Sequence, residues 1–158
     1  MKLRELHLAD VEAMWLINEQ GLPGTGKVTR DGMADLLALS DLALGLEEAN
    51  RLVGFVLCLR PNTRYGSLNY AWFNERYENF IYVDRIAVTS SARDRGCGTL
   101  LYERVTEYAQ QHGWPVAAEV SLNPPNPGSM RFHGRFDFEE VGVLNHGDTS
   151  VTMMLRST

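Results

Sequence analysis

One short segment constrains the fold of this chain more than any other: an apolar stretch leads into a polar turn with two glycines and then into a helical pattern. Ile86, Ala87 and Val88 end the apolar stretch, and Gly96 and Gly98 lie in the turn. Glycines let backbone N–H groups approach an anion, and the dipole of the following helix adds a favourable potential there. The segment therefore predicts a strand, a turn that can bind a phosphate, and a helix, although a plain connecting turn would use the same residues.

The apolar periodicity around this segment predicts further short strands and helices. Strands are expected over residues 3–6, 42–46, 52–60, 80–88, 116–122, 140–144 and 150–155. Helices are expected after Asp10, after Thr29, from the glycine turn to His112 and over residues 128–136. Residues 62–79 are expected to form a long loop whose aromatic side chains cover a binding pocket or form a separate apolar cluster. The pattern indicates one mixed α/β domain over residues 1–158.

Composition and charge exclude several classes of protein. The net charge of −5 argues against a nucleic acid partner, because phosphate binding needs a basic surface. No apolar run is long enough to span a bilayer, and the charged N-terminus lacks the apolar core of a secretory signal, so no membrane partner is expected. Cys58 and Cys97 show no metal-ligand spacing, so we expect no metal site, free thiols and a cytoplasmic location.

Two motifs give the chain a family resemblance. Residues 93–98, Arg-Asp-Arg-Gly-Cys-Gly, match the pattern Q/R-x-x-G-x-G/A directly after a strand. Further along, Asn126, His133 and Gly142 follow the spacing of a second, looser pattern, N-x6-Y-x3-G-F-x3-G. Both patterns are typical of the GNAT superfamily of N-acyltransferases, which this chain resembles. The second pattern departs at His133, where the family usually has Tyr, and at Asp137, where it has a Gly whose left-handed conformation Asp can adopt at some cost.

The resemblance implies the GNAT fold: a central mixed, mostly antiparallel sheet that splays between its fourth and fifth strands, with flanking helices. Acetyl-CoA, the implied co-substrate, would enter that opening with its pyrophosphate on the glycine turn and its pantetheine along the strand before the turn. A main-chain N–H near Ala87 or Val88 would polarise the thioester carbonyl. The implied CoA-binding residues are Ile86, Ala87, Val88, Arg93, Asp94, Arg95, Gly96, Cys97, Gly98, Thr99, Asn123, Asn126, Ser129 and Phe132.

Three side chains are candidates for the catalytic chemistry. Glu119 lies in the strand that would border the opening, where some relatives that acetylate protein N-termini carry a catalytic Glu, and Asp84 lies in the opposing strand. Either carboxylate could take the proton of the attacking amine, or could form an ordinary salt bridge. His133 takes the place of the family Tyr that protonates the leaving thiolate. Its neutral imidazole keeps one N–H donor, and a purely structural histidine is the alternative.

The resemblance leaves the acceptor open, as a primary amine of a small molecule or of a peptide N-terminus. Asn18, on the apolar stripe of the first predicted helix, is a candidate acceptor contact or a buried structural asparagine. A homodimer is left open as well. An inactive GNAT-like domain that only binds CoA is one alternative function.

A second alternative comes from a different class of protein, because Gly21 to Lys27 nearly forms a phosphate-binding P-loop. The next residue is Val28, so the hydroxyl that would ligate Mg²⁺ is missing. A P-loop must also follow a strand, and the preceding residues predict a helix. Both features favour the acyltransferase over a nucleotide-binding protein.

Overall fold

A computed structural model describes the whole chain, residues 1–158, as a seven-stranded sheet with helices on both faces. The strands are β1 (Lys2–Glu5), β2 (Leu42–Glu48), β3 (Arg51–Leu59), β4 (Ile81–Val88), β5 (Val116–Asn123), β6 (Glu139–Asn145) and β7 (Ser150–Arg156). Their order across the sheet is β1-β2-β3-β4-β5-β7-β6. All neighbours are antiparallel except β4 and β5, which are parallel. This arrangement confirms the fold class that the sequence predicts.

The helices begin and end where local chemistry favours it. They are α1 (Val11–Gln20), α2 (Arg30–Leu39), α3 (Leu68–Arg76), α4 (Cys97–His112) and α5 (Pro127–Arg135). The Thr29 hydroxyl accepts the Gly32 N–H and caps α2, while Asn126 caps α5 and precedes a proline at its first position. Helix α4 ends at Gly113, whose φ of 72° fits a left-handed C-cap. No helix combines the length and the apolarity needed to cross a membrane.

Helix α3 lies inside residues 62–79, so the expectation of a long loop there is wrong. The Ser67 hydroxyl accepts the Tyr70 N–H and caps the helix. Tyr70 and Phe73 are fully buried, three residues apart on one helical face, and belong to the core instead of an exposed loop. Only these two residues of α3 are buried, so the periodic signal is too short to stand out from the surrounding polar residues.

The core has two layers, one on each face of the sheet. Side chains of β4 alternate between them: Val83 packs against α4, and Tyr82 packs towards α3. The alternation shifts at a bulge between Val83 and Arg85, opposite Leu57 and Cys58 of β3. A bulge adds one residue to a strand and so turns two successive side chains to the same side of the sheet. Asp84 and Arg85 are the two residues at this position.

The strands β4 and β5 pair over two positions only and then separate. Ile81 lies opposite Val116 and Tyr82 lies opposite Ala117, and no later residue of either strand pairs with the other. Beyond this point the backbone edges of both strands are open. The predicted splay between the fourth and fifth strands is therefore confirmed.

Gly142 of β6 packs directly against Trp72 of α3, and its substitution gives a test of the fold. A Cβ atom at Gly142 would lie 2.4 Å from Cζ2 of Trp72. We expect Gly142→Ala to lower the free energy of unfolding by about 1–3 kcal/mol, because the indole ring must shift. The measurement is urea denaturation. Gly134→Ala is the control: its Cβ would meet nothing within 4 Å and lies inside α5, so this variant should be unchanged or more stable. An unaltered midpoint for Gly142→Ala would contradict the packing described here.

Candidate active site

The separated ends of β4 and β5 enclose a cleft of about 750 Å³. Predicted site residues that border it are Asp84, Ile86, Ala87, Val88, Arg93, Glu119, Asn126, Ser129 and His133. The α1–α2 loop forms one wall, and the start of β7 forms another. Two residues without a predicted role, Asn69 and Tyr102, also border the cleft. The structure thus brings all three candidate catalytic side chains to one opening.

The remaining predicted CoA-binding residues lie outside the lining of the cleft. They are Asp94, Arg95, Gly96, Cys97, Gly98, Thr99, Asn123 and Phe132. The Arg95 guanidinium pairs with Glu48 at 2.6 Å, and the buried Cys97 thiol donates to the Ala92 carbonyl at 3.4 Å. Asn123 donates to the Asp148 carbonyl at 3.3 Å. The side chains of these three residues therefore have partners within the protein, and the turn before α4 can offer its backbone.

The backbone of that turn has the free donors that a phosphate needs. No N–H group from Asp94 to Thr99 donates a hydrogen bond within the protein. Asp94 and Gly96 have φ angles of 60° and 79°, a conformation that turns successive N–H groups towards one side. The α4 dipole adds a favourable potential for an anion at the same place. The turn therefore fits the pyrophosphate of CoA.

The open edge of β4 offers further backbone donors to the cleft. The Thr89 N–H donates to the Val53 carbonyl of β3 at 2.8 Å, and Val88 lies opposite Gly54. Hydrogen-bonded and non-hydrogen-bonded pairs alternate along an antiparallel ladder, so the N–H groups of Ile86 and Val88 point away from β3. Because β5 has already separated, these groups face the cleft. An extended ligand with amide groups could pair with this edge as an added strand.

Glu119 of β5 presents its carboxylate to the cleft between two neutral donors. The Tyr82 hydroxyl donates to the two carboxylate oxygens at 2.9 and 2.8 Å, and Asn69 Nδ2 donates to Oε1 at 3.2 Å. Burial raises the pKa of Glu119 to about 7, with a further increase from the charge of Asp84, although the two donors act in the opposite direction. A carboxyl group with this pKa can exchange a proton at neutral pH.

Asp84 lies in different surroundings, because the positive charge of Arg85 compensates its carboxylate. Arg85 Nε lies 2.7 Å from Asp84 Oδ2, and both side chains are nearly buried, with 9% and 4% of their surface exposed. Arg85 Nη1 also donates to the Asn18 side-chain oxygen at 3.2 Å and to the Gly26 carbonyl at 3.0 Å. Asn18 is itself buried, and its Nδ2 donates to the Gly26 carbonyl at 3.0 Å. These contacts agree with the buried structural asparagine that was one of the two possibilities for this residue. The hydrogen bonds of Arg85 tie α1 and the α1–α2 loop to β4.

His133 of α5 uses both ring nitrogens inside the protein. Nδ1 lies 2.8 Å from the Ser129 carbonyl, which can only accept, so Nδ1 carries the hydrogen. Nε2 of the neutral ring is then an acceptor, and the Tyr102 hydroxyl donates to it at 2.7 Å. Burial lowers the pKa of His133, which favours this neutral form. The neutral ring has no free N–H for a departing sulfur, so the role expected of His133 requires the protonated ring or Tyr102.

The loop Gly21 to Lys27 lacks the structural context of a P-loop. It connects α1 to α2, and no strand precedes it. Its glycines border the cleft beside Arg85, where the loop forms part of the wall. The loop position therefore gives no support to the nucleotide-binding alternative.

Comparison with known proteins decides the family. The Acetyltransferase (GNAT) family matches residues 11–138. This chain belongs to the GNAT acetyltransferase family. No curated protein matches the chain significantly.

Solved structures agree with the GNAT fold. Ard1 from Thermoplasma volcanium superimposes with a TM-score of 0.79 at 19% identity, covering 99% of this chain and 96% of that one. The ribosomal-protein-alanine N-acetyltransferase from Brucella melitensis gives 0.76 at 18% identity, with both chains fully covered. Arabidopsis thaliana Naa50, solved with the bisubstrate analogue CoA-Ac-MVNAL, gives 0.75 at 16% identity, covering 99% and 98%. At these identities the likeness shows the fold alone.

Two glycines at opposite ends of α4 give a matched test of the phosphate site. Gly96 and Gly113 both have left-handed φ angles, 79° and 72°, and a Cβ atom on either would meet nothing within 4 Å. Gly96→Val and Gly113→Val should therefore lose similar stability through backbone strain. We expect Gly96→Val alone to weaken CoA binding at least tenfold, or by about 1.4 kcal/mol, because it distorts the turn that carries the free N–H groups. Calorimetric titration of the two folded variants with CoA measures the difference. Equal affinities would place the pyrophosphate elsewhere.

Proposed function

We propose that this GNAT protein transfers the acetyl group of acetyl-CoA to a primary amine, with Glu119 as the general base. The observation that carries the proposal is the difference between the two carboxylates of the cleft. Asp84 is held in an ion pair with Arg85, whereas Glu119 receives only neutral donors and has a pKa of about 7. Glu119 can therefore take and release a proton at neutral pH, whereas the Asp84 carboxylate is engaged by a cation.

The fit of acetyl-CoA to the cleft rests on backbone groups. The free N–H groups of the turn before α4 suit the pyrophosphate, and the open edge of β4 suits the two amides of pantetheine. Bound in this way, acetyl-CoA supplies an activated acyl group as a thioester. The Val88 N–H faces the same opening and is the candidate donor to the thioester oxygen as it becomes negative.

The amine must lose a proton before it can attack, since a primary ammonium has a pKa near about 10. In the proposed reaction Glu119 accepts that proton, directly or through water, and the nitrogen lone pair forms a bond to the thioester carbon. The tetrahedral intermediate collapses as the carbon–sulfur bond breaks, and the sulfur leaves with the bonding electrons. The second proton of the nitrogen is lost to solvent as the amide forms, or to Glu119 once that residue has released the first proton to solvent.

Tyr102 and His133 line the cleft and are the candidate proton donors for the leaving sulfur. Tyr102 donates to His133 Nε2, so the two side chains act as a unit. We place the thiolate proton with this pair: the Tyr102 hydroxyl turns from His133 Nε2 to the sulfur and gives it a proton, and the resulting phenolate is reprotonated from solvent. A thiolate is also a fair leaving group without help, because a thiol has a pKa near about 8.5.

For the acceptor we propose an α-amino group of a peptide or a primary amine of a small molecule. Support for a peptide comes from fold neighbours whose names describe N-acetyltransferases of a ribosomal protein or a complex with a bisubstrate peptide analogue. The wall of the cleft formed by the α1–α2 loop and the Asp84–Arg85 pair has small side chains and a charge-compensated ion pair, which suits a peptide main chain better than a bulky cation. An inactive CoA-binding domain would bind CoA but acetylate no amine.

The test is a pH profile of acetyl transfer by the wild-type protein and by Glu119→Gln. Amino acids, polyamines, aminoglycosides and short peptides serve as acceptors, and release of free thiol is the readout. Because the carboxylate is the active form, wild-type kcat/KM should rise as pH increases through about 7. Glu119→Gln should lose about 10²- to 10⁴-fold at neutral pH and recover at high pH, where the amine deprotonates unaided.

The matched control is Glu140→Gln, which removes an exposed carboxylate from β6 and should leave the rates unchanged. Wild-type rates for Glu119→Gln at pH 7 would contradict the role of Glu119. CoA binding with no turnover of any acceptor would identify an inactive domain.

A further inference from the structure

A chain of hydrogen bonds links the Glu119 carboxylate to the surface of the protein. Asn69 of α3 donates through Nδ2 to Glu119 Oε1 at 3.2 Å. Its other amide atom, Oδ1, lies 2.8 Å from Nε2 of His146. His146 is exposed and lies in the turn between β6 and β7, where its own N–H donates to the Thr149 carbonyl at 2.7 Å. The chain therefore connects β5, α3 and the β6–β7 turn.

The chemistry of the carboxylate fixes the direction of every bond in this chain. An ionised carboxylate can only accept, so the Asn69 amide must present its nitrogen to Glu119. Its oxygen then faces His146, and Nε2 must carry a hydrogen. The histidine donates from Nε2 in its cationic form as well as in this neutral tautomer. If the amide turned over, its oxygen would face the Glu119 carboxylate and repel it.

We propose that Asn69 and His146 are positioning residues for Glu119: His146 holds the Asn69 amide in one orientation, and the amide donor favours the ionised form of Glu119. The inference rests on the proposed role of Glu119 as the base, and it assigns a function to two residues outside the family motifs. Neither residue needs to touch the reacting atoms. Their effect passes entirely through the protonation of Glu119.

The packing around α3 supports a fixed geometry for this contact. Trp72, one helical turn after Asn69, packs so closely on Gly142 of β6 that no Cβ fits between them. Helix α3 is thus attached to the β6–β7 hairpin at two points, once through an apolar contact and once through a hydrogen bond. Thr149, the last residue of the same turn, and Ser150, the first residue of β7, border the cleft. The turn that orients the amide therefore also forms part of the cleft wall.

The other charged and titratable groups around Glu119 lie on β4, α4 and α5 and in the loop before α3, where Tyr65 lies beside the Asp84–Arg85 pair. Tyr82 donates to the carboxylate, and Asp84 acts on it through its charge while paired with Arg85. Tyr102 lies across the cleft, hydrogen-bonded to His133. None of these groups is hydrogen-bonded to Asn69 or His146, so substitutions at those two positions leave the other hydrogen bonds around Glu119 in place.

The test compares three variants with the wild-type protein. Asn69→Ala removes the donor, and the acidic limb of the kcat/KM profile should move up by about one pH unit. Activity should then fall about tenfold at pH 6 and be unchanged at pH 9. His146→Ala frees the amide to turn over and should give a smaller shift in the same direction. His146→Gln keeps an N–H donor and should restore the wild-type profile. His112→Ala, which removes an exposed histidine at the end of α4, is the control.

A second readout does not depend on turnover. The side-chain carboxyl of Glu119 can be titrated by carbon-13 NMR in the protein without substrate, and its signal is assigned by its loss in Glu119→Gln. The titration midpoint should lie near 7 in the wild-type protein and rise in Asn69→Ala. A rise in the midpoint without a shift in the activity profile would support the positioning inference and contradict Glu119 as the base.

Two results would overturn the inference. One is an unchanged Glu119 midpoint in folded Asn69→Ala. The other is a His146→Ala variant that matches the wild-type midpoint while Asn69→Ala does not, because the amide would then need no orientation from the turn. Thermal unfolding of each variant shows whether the comparison is made on folded protein.

Discussion

The site depends on a single constraint of the sheet, the separation of β4 and β5 after two paired residues. Parallel neighbours normally satisfy each other's backbone groups along their length, and an unpaired edge inside a protein is costly. Here the edge opens onto a cleft instead, so its N–H groups become available to a ligand. The same separation brings Glu119 on β5 and Val88 on β4 to opposite walls of one space. The glycine turn at the start of α4 then completes the site at the far end of β4.

The protein gives different electrostatic surroundings to two carboxylates that share one cleft. Asp84 and Arg85 face the same way because of the bulge in β4, and they neutralise each other while fixing the α1–α2 loop. Glu119 has no cation beside it, and burial therefore dominates its titration. The hydrogen bonds from Tyr82 and Asn69 limit the increase in its pKa to about 7. The different surroundings of the two side chains thus make Asp84 a structural carboxylate and Glu119 a candidate base.

Much of the fold and part of the site could be predicted from the sequence, because their signals are local. The glycine turn, the alternating strands and the Thr29 cap each depend on residues close together in the chain. Contacts between distant residues gave no such signal. In the sequence, Tyr102 is indistinguishable from the other apolar positions of α4. Its hydrogen bond to His133 depends on how α4 and α5 pack. The role of Asp84 depended on a bulge that strict alternation does not predict.

Asn69 was missed for a related reason, because α3 presents only two buried positions in a polar segment. For His133 a usable signal did exist. In a helix its Nδ1 can reach the carbonyl four residues earlier, at Ser129, which removes the N–H of the neutral ring from the cleft. The residue type alone could not show this, because a histidine keeps a donor in either tautomer.

The central claim is that acetyl-CoA occupies the opening between β4 and β5 with its phosphates on the turn before α4. Hydrogen–deuterium exchange at single-amide resolution tests it directly, with acetyl-CoA and Mg-ATP as separate ligands. The account predicts that acetyl-CoA slows exchange of the amides from Asp94 to Thr99 and of Ile86 and Val88, and that Mg-ATP slows none of them. Protection of Gly21 to Lys27 by either ligand, with unchanged exchange from Asp94 to Thr99, would contradict it.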